Sequence, residues 1–265
     1  MHLEQRQRAH AWLRQHGFDC ALFSAPASVA WLTGLAPAVQ TGPSPFAGGP
    51  PLVWYAGGDF SLIVPDSLAA EAGRPGLPVL TYAAYAYQTP VTAVQQLAAR
   101  VRALTENARG QLGAEQQSLP AHLWPAGALG LDGRLDDLRL VKTDEELAFL
   151  RRNFALTDAG HAAGRRAVQI GLREIDVWTA VQSAIEQAAG GRVVLGNDCV
   201  AGYRENNVGG WPGDLPLRPG DSLILDLSTR VDGYWSDSCG TYYAGGPSER
   251  QAAVHRTVQA ALELA

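Results

Sequence analysis

Lysine is almost absent from this 265-residue chain: of its 21 basic residues only Lys142 is one. We read this as a coding bias and not as function. Charge is scarce, at 18% of residues with a formal net charge of -5. An acidic balance, with a pI near 5.7, excludes a protein that tracks nucleic-acid phosphates and so needs a basic surface. Cysteine is limited to Cys20, Cys199 and Cys239. An odd count without metal-type spacing excludes a disulfide framework and predicts free thiols in a reducing, cytoplasmic setting. No charge stands between Cys20 and Gly58. That stretch is interrupted by Pro26, Pro37, Pro43, Pro45, Pro50 and Pro51, so no apolar helix of about 20 residues fits a membrane there. The opening MHLEQRQRAHAWLRQHG is too polar for a secretory signal. With 46% hydrophobic residues the chain is not disordered, and its length predicts roughly two domains at about 150 residues each.

The first part alternates helix and strand patterns. Residues 3–16 read as a helix stopped by Gly17, and Cys20–Phe23 as a buried strand. Ser28–Leu35 reads as a short helix or turn, and 37–51, rich in Pro, Gly and Ser, as a long loop. Two apolar runs around Gly57-Gly58 predict a hairpin. Val79–Tyr82 and Leu129–Asp132 follow as strands, with a helix over Val91–Leu104 between them. Such alternation predicts an α/β domain over 1–138. From 139 onward a second, α+β part is expected. Thr143 and Glu146 form a capping box ahead of a long helix facing inward through Leu147, Leu150, Phe154 and Ala155. Gly171 breaks it, and a second helix spans Glu174–Ala189, with Ile175, Trp178, Val181 and Ile185 inward. Three strand segments follow, then a terminal helix capped by Ser248.

The segment ILDLSTRVDGYWSDS carries the most chemistry. Asp232-Gly233 between alternating runs is a turn signal. Centring the hairpin between Val231 and Asp232 sets Ser228 against Trp235, Ile224 against Cys239, and Asp226 against Asp237. Directly opposed carboxylates, with Cβ atoms about 4.5–5.5 Å apart, need a shared proton or a cation. Alternatively a different register separates them, or one points to solvent.

Asp226 and Asp237, followed by Thr241, resemble the first half of the metal site of the creatinase/methionine-aminopeptidase, or pita-bread, metallopeptidase superfamily (M24). SVAWLTGL, RLVKTDEELAFLRR with Arg139, Lys142 and Glu145 or Glu146, GLREIDV, and LRPGDSLILDLSTRVDGYWSD resemble further segments of that family. The resemblance is closest to its Xaa-Pro dipeptidase (prolidase) and Xaa-Pro aminopeptidase branch. It implies an α/β N-terminal domain, 1–138, and an incomplete α+β pita-bread catalytic domain, 139–265. It implies a metal-dependent exopeptidase acting on a proline-containing dipeptide or short peptide. Asp226 would chelate one metal, Asp237 would bridge two, and Thr241 would stand behind Asp237. The metal pair would be Mn²⁺, with Co²⁺ or Zn²⁺ as alternatives. A cytoplasmic homodimer is implied, with neither nucleic acid nor membrane as partner.

Departures from the family pattern carry their own expectations. The family's remaining ligands, one His and two Glu, lie beyond this sequence, so the chain is expected to be an N-terminal portion, inactive or impaired alone, and no catalytic acid or base is assigned. His255 reads as a surface histidine. No histidine lies between His161 and His255. Gly209 falls where the family has a substrate-contacting histidine, near the polar residues Arg204, Asn206 and Asn207. Gly240 replaces a family arginine, and Cys239 reads as a small buried packing residue. Two further readings stay open: a non-catalytic binding or scaffold module of the same fold, and a creatinase-like amidinohydrolase. The absence of a histidine near 209 counts against the latter.

Overall fold

The computed structural model describes residues 2–36, 48–85, 87, 92–202, 204 and 209–264. The expectations placed on Pro37, Pro43, Pro45, Val91, Asn206 and Asn207 lie outside the described residues. The chain separates into two compact units, Met1–Leu147 and Ala148–Ala265.

In the first unit, α1 (Leu3–Gln15) precedes β1 (Cys20–Phe23) and α2 (Pro26–Thr33). The hairpin β2 (Leu52–Ala56) and β3 (Asp59–Pro65) turns at Gly57-Gly58, whose φ values of 60° and 108° need glycine. Then come α3 (Ala69–Ala72), β4 (Val79–Tyr82), α4 (Ala93–Thr105), β5 (Leu112–Ala114), β6 (Leu129–Gly130) and α5 (Asp136–Leu140). The six strands form one sheet in the order β4-β3-β2-β1-β5-β6. Alternate residues go to opposite faces, and both faces are covered. Ala21, Phe23, Val53 and Tyr55 join Ala9 and Leu13 of α1. Cys20, Leu22, Leu52 and Trp54 join Leu97 and Val101 of α4. Two-sided burial explains why these strands read as unbroken apolar runs.

Two strands depart from expectation. The segment at Leu129 pairs for only two residues, and β5 was not anticipated. It lies parallel between β1 and the edge strand β6, but its middle residue is Gly113, a poor strand signal. A Cβ there would stand 2.6 Å from Leu131, so glycine admits the neighbouring side chain.

A buried polar frame holds α2. The Glu115 carboxylate accepts from Ser24 N (2.7 Å), Ala25 N (2.6 Å) and the Ser28 hydroxyl at the helix start. At the helix end, His2 Nδ1 meets Trp31 O and Arg6 donates to Leu32 O, both at 3.0 Å. Anion at the N-terminus and basic groups at the C-terminus complement the helix dipole. Burial nevertheless pushes the Glu115 carboxyl up from its ordinary value.

The second unit takes in most of α6 (Asp144–Ala167), then α7 (Glu174–Ala189), β7 (Val194–Ala201), β8 (Ser222–Val231), β9 (Tyr234–Trp235), β10 (Ser238–Tyr243) and α8 (Glu249–Leu264). The capping box is present: Thr143 N donates to Glu146 (2.8 Å) and Glu146 N to Thr143 Oγ1 (3.2 Å). The sheet runs β10-β8-β7, all antiparallel, with β9 also on β8. Along β8, Leu223, Leu225, Leu227 and Thr229 are buried while Ile224, Asp226, Ser228 and Arg230 are half-exposed. Leu223, Leu225 and Leu227 pack with Leu156 of α6 and Val177, Val181 and Ile185 of α7.

The inward face of α6 differs from the expected one. Leu147 and Phe154 are exposed; the buried stripe is Asn153, Leu156, Thr157, Gly160, Ala163 and Gly164. Small residues win because α7 and the sheet both come close. A Cβ at Gly160 would meet Ile185 at 2.7 Å, and one at Gly164 would overlap Leu225. Ser248 does cap α8, but no described residue of α8 is buried, and His255 is exposed.

Candidate metal centre

The turn Asp232-Gly233 closes on Val231–Tyr234, with φ values of 56° and 84°. Positive φ at both central residues is the two-residue turn that suits a twisted hairpin. The turn is therefore centred between Asp232 and Gly233, and the expected register is corrected. Arg230 faces Trp235, Asp226 faces Cys239 and Ile224 faces Thr241. Asp226 and Asp237 are not directly opposed. The displacement is two residues, so Asp237, Cys239 and Thr241 keep the same side of the sheet as Asp226.

Asp237 lies in a short break between β9 and β10. The register survives the break because Ser236 makes the ladder with its side chain. Ser236 N donates to Thr229 O, and Thr229 N donates to Ser236 Oγ, both at 2.9 Å. Cys239 is exposed, against the expectation of a buried packing residue; it pairs with half-exposed Asp226, on the side of the sheet away from Leu225 and Leu227. All three cysteines are free, as expected.

A third carboxylate was missed. Asp198 on β7 stands directly opposite Asp226. Its signal was available: a charge inside the apolar strand RVVLGNDCVAG, with parity that only pairing reveals. Burial, then the Asp237 and Asp198 carboxylates, raise the Asp226 carboxyl above its ordinary value. The Cys239 thiol is pushed up by partial desolvation and by Asp226, Asp237 and Asp198. Asp226 Oδ1 is buried without a hydrogen-bond partner. A desolvated, unpaired carboxylate oxygen among other carboxylates fits a hard divalent cation. Asp226 and Asp237 would be the residues to hold it, as a partial set, since catalytic sites ordinarily use at least three protein ligands. Among the described residues no group of three or more His, Cys, Asp or Glu is arranged around one ion position.

Described residues after β7 are pinned beside this face. Glu174, fully buried at the start of α7, accepts from Ala201 N and Gly213 N at 2.8 Å and pairs with Arg204. Arg204 also donates to Trp211 O (2.8 Å), and Cys199 N donates to Gly210 O (3.0 Å). Gly209, with φ 71°, rests on Asp198 so closely that a Cβ would overlap the carboxylate. The space a side chain at 209 would need is taken by Asp198. Thr241 lines a groove of about 470 Å³ with Arg165, Tyr242, His255 and Arg256.

The family model for the creatinase/prolidase N-terminal domain matches residues 5–152, and that for metallopeptidase family M24 matches 148–265. The chain is 30% identical over 223 residues to an Xaa-Pro dipeptidase of Xanthomonas campestris, covering 81% of this chain and 46% of that protein. It is 25% identical over 128 residues to the Xaa-Pro dipeptidase of Pyrococcus furiosus, covering 48% and 37%. It thus spans less than half the length of these curated relatives. Among solved structures, the prolidase of Pyrococcus horikoshii superposes with a TM-score of 0.75 at 20% identity, covering 98% of this chain and 70% of that one.

Proposed function

Because this chain belongs to the creatinase/prolidase group of the M24 metallopeptidases, with an α/β N-terminal domain ahead of pita-bread elements, we propose that it serves a metal-dependent exopeptidase of the Xaa-Pro dipeptidase or aminopeptidase type. The substrate is a proline-containing dipeptide or short peptide, and the protein acts as a cytoplasmic homodimer. The observation that carries this reading is the buried, unpaired Asp226 Oδ1 on a face shared with Asp237.

Asp226 would hold one cation through that oxygen, and Asp237 would reach toward a pair. Mn²⁺ is the expected metal, since both donors are carboxylate oxygens. The bound metal supplies Lewis acidity toward the scissile carbonyl. Asp226 is fixed by the central strand of its sheet, paired on both sides. Thr241, on the same side, would steady Asp237. Asp198 adds negative charge opposite Asp226 and strengthens the local pull on cations.

Titration calorimetry of the 265-residue chain with Mn²⁺, Co²⁺ and Zn²⁺ tests the reading. Binding abolished by Asp226→Asn and weakened by Asp237→Asn is expected. Hydrolysis of Xaa-Pro dipeptides by this chain alone is expected to be absent or far below that of its full-length relatives. No binding of any of the three ions, or equal binding by Asp226→Asn, would favour the non-catalytic module instead.

A further inference from the structure

His161 of α6 uses both ring nitrogens on β10. Nε2 lies 3.0 Å from Ser238 O, and Nδ1 lies 2.9 Å from the Tyr242 hydroxyl. A carbonyl only accepts, so Nε2 carries the proton and donates to Ser238 O. Nδ1 then accepts from the phenol. Burial pushes the Tyr242 phenol up, so it remains a donor. The Arg165 guanidinium, 6.0 Å from the Tyr242 ring centre, holds the ring from a second direction. Tyr242 in turn lies over Gly240: a Cβ there would stand 2.9 Å from its hydroxyl and 3.2 Å from its ring. Tyr242 therefore fills the place where the family resemblance puts an arginine.

The pair matters because of what it brackets. Asp237 sits in the break between β9 and β10, outside both strands. Immediately before it, Ser236 is buried and tied by its side chain to Thr229. Immediately after it, the Ser238 carbonyl is tied to His161. Side-chain bonds thus hold both neighbours of Asp237.

Building on the metal reading above, we propose that His161, oriented by Tyr242, is a positioning residue for Asp237. It fixes the Ser238 peptide and so keeps the carboxylate on the Asp226 side of the sheet. Partners behind a metal ligand commonly change affinity by about 10–100-fold when lost.

The test compares His161→Leu, His161→Gln and Tyr242→Phe with the parent chain. Amide hydrogen exchange over 236–243 and Mn²⁺ affinity are the readouts, and circular dichroism checks folding. His161→Leu should keep the parent spectrum, exchange about tenfold faster at 237–239 and bind Mn²⁺ at least about tenfold more weakly. Glutamine offers a donor close to Nε2, so His161→Gln should recover both to within about threefold of the parent. Tyr242→Phe should show a smaller loss of the same kind. Unchanged exchange at 237–239 in His161→Leu overturns the proposal, as does failure of glutamine to recover either readout. If the parent chain binds no Mn²⁺ but the exchange pattern follows expectation, the metal reading fails and the positioning role stands.

Discussion

The Glu174–Arg204 pair offers a sharp energetic test of how Ala201 and Gly213 are held beside the Asp198 and Asp226 carboxylates. Glu174 is 0% exposed, and its two oxygens serve Ala201 N, Gly213 N and the guanidinium. Glu174→Ala leaves two backbone donors unmatched, at about 1–3 kcal/mol each if buried. Truncating one partner of a buried ion pair costs about 3–5 kcal/mol in all. The Arg204 side chain is 27% exposed, so water relieves part of that loss and the lower end applies, about 3 kcal/mol. At about 2–4 °C per kcal/mol for a chain of this size, the melting temperature should fall by about 6–12 °C. Arg204→Ala leaves the buried carboxylate with its two N–H donors alone and should cost a similar amount. Urea unfolding of both single variants and the double variant gives the coupling. We expect the double variant to fall short of the summed single losses by more than about 1 kcal/mol. A Glu174→Ala loss below about 1 kcal/mol, or strict additivity, would refute the reasoning.

Three further outcomes follow from other sites. Asp226 has a raised carboxyl value when folded, so without metal its ionised form costs stability above the folded value, and the cost disappears as pH falls toward the unfolded value. Asp226→Asn should therefore raise the metal-free melting temperature at pH 7, with the gain vanishing near pH 4, and should lose Mn²⁺ stabilisation of about 2.7 kcal/mol at 100 times Kd. Melts with and without Mn²⁺ across pH check both signs. Glu115→Ala should cost about 2–4 kcal/mol in chemical unfolding, since it strips the cap and the bonded N–H groups from the start of α2. Gly209→Ala should cost about 1–3 kcal/mol through the left-handed backbone, more with the Asp198 contact, and adding Asp198→Ala should restore only the contact share.

Much of the scaffold was legible because it rests on local chemistry. The capping box at Thr143, the glycine hairpin at 57–58, the span of α7 and the Ser248 cap each follow from a few adjacent residues. The α6 stripe was hidden because burial there is by glycine, alanine and asparagine, which hydrophobic spacing does not register. Strand β5 was hidden by Gly113. Around Asp226 and Asp237 the hairpin was readable but its register was not, since placing the turn centre one residue early shifts every partner by two. Glu115 and His161 act through partners 87 to 91 and 77 to 81 residues away, and nothing local marks them; Asp198 is marked by its charge inside an apolar strand, but its partner lies 28 residues away.

The even displacement of the hairpin has a consequence for how this segment can vary over time. Adding or removing two residues between Asp226 and Asp237 slides partners along the strands yet returns both carboxylates to one side. A single-residue insertion or deletion would turn one of them toward the packed helices, where Leu225 and Leu227 lie. Length changes here should therefore be accepted in pairs, unless a bulge absorbs the odd residue.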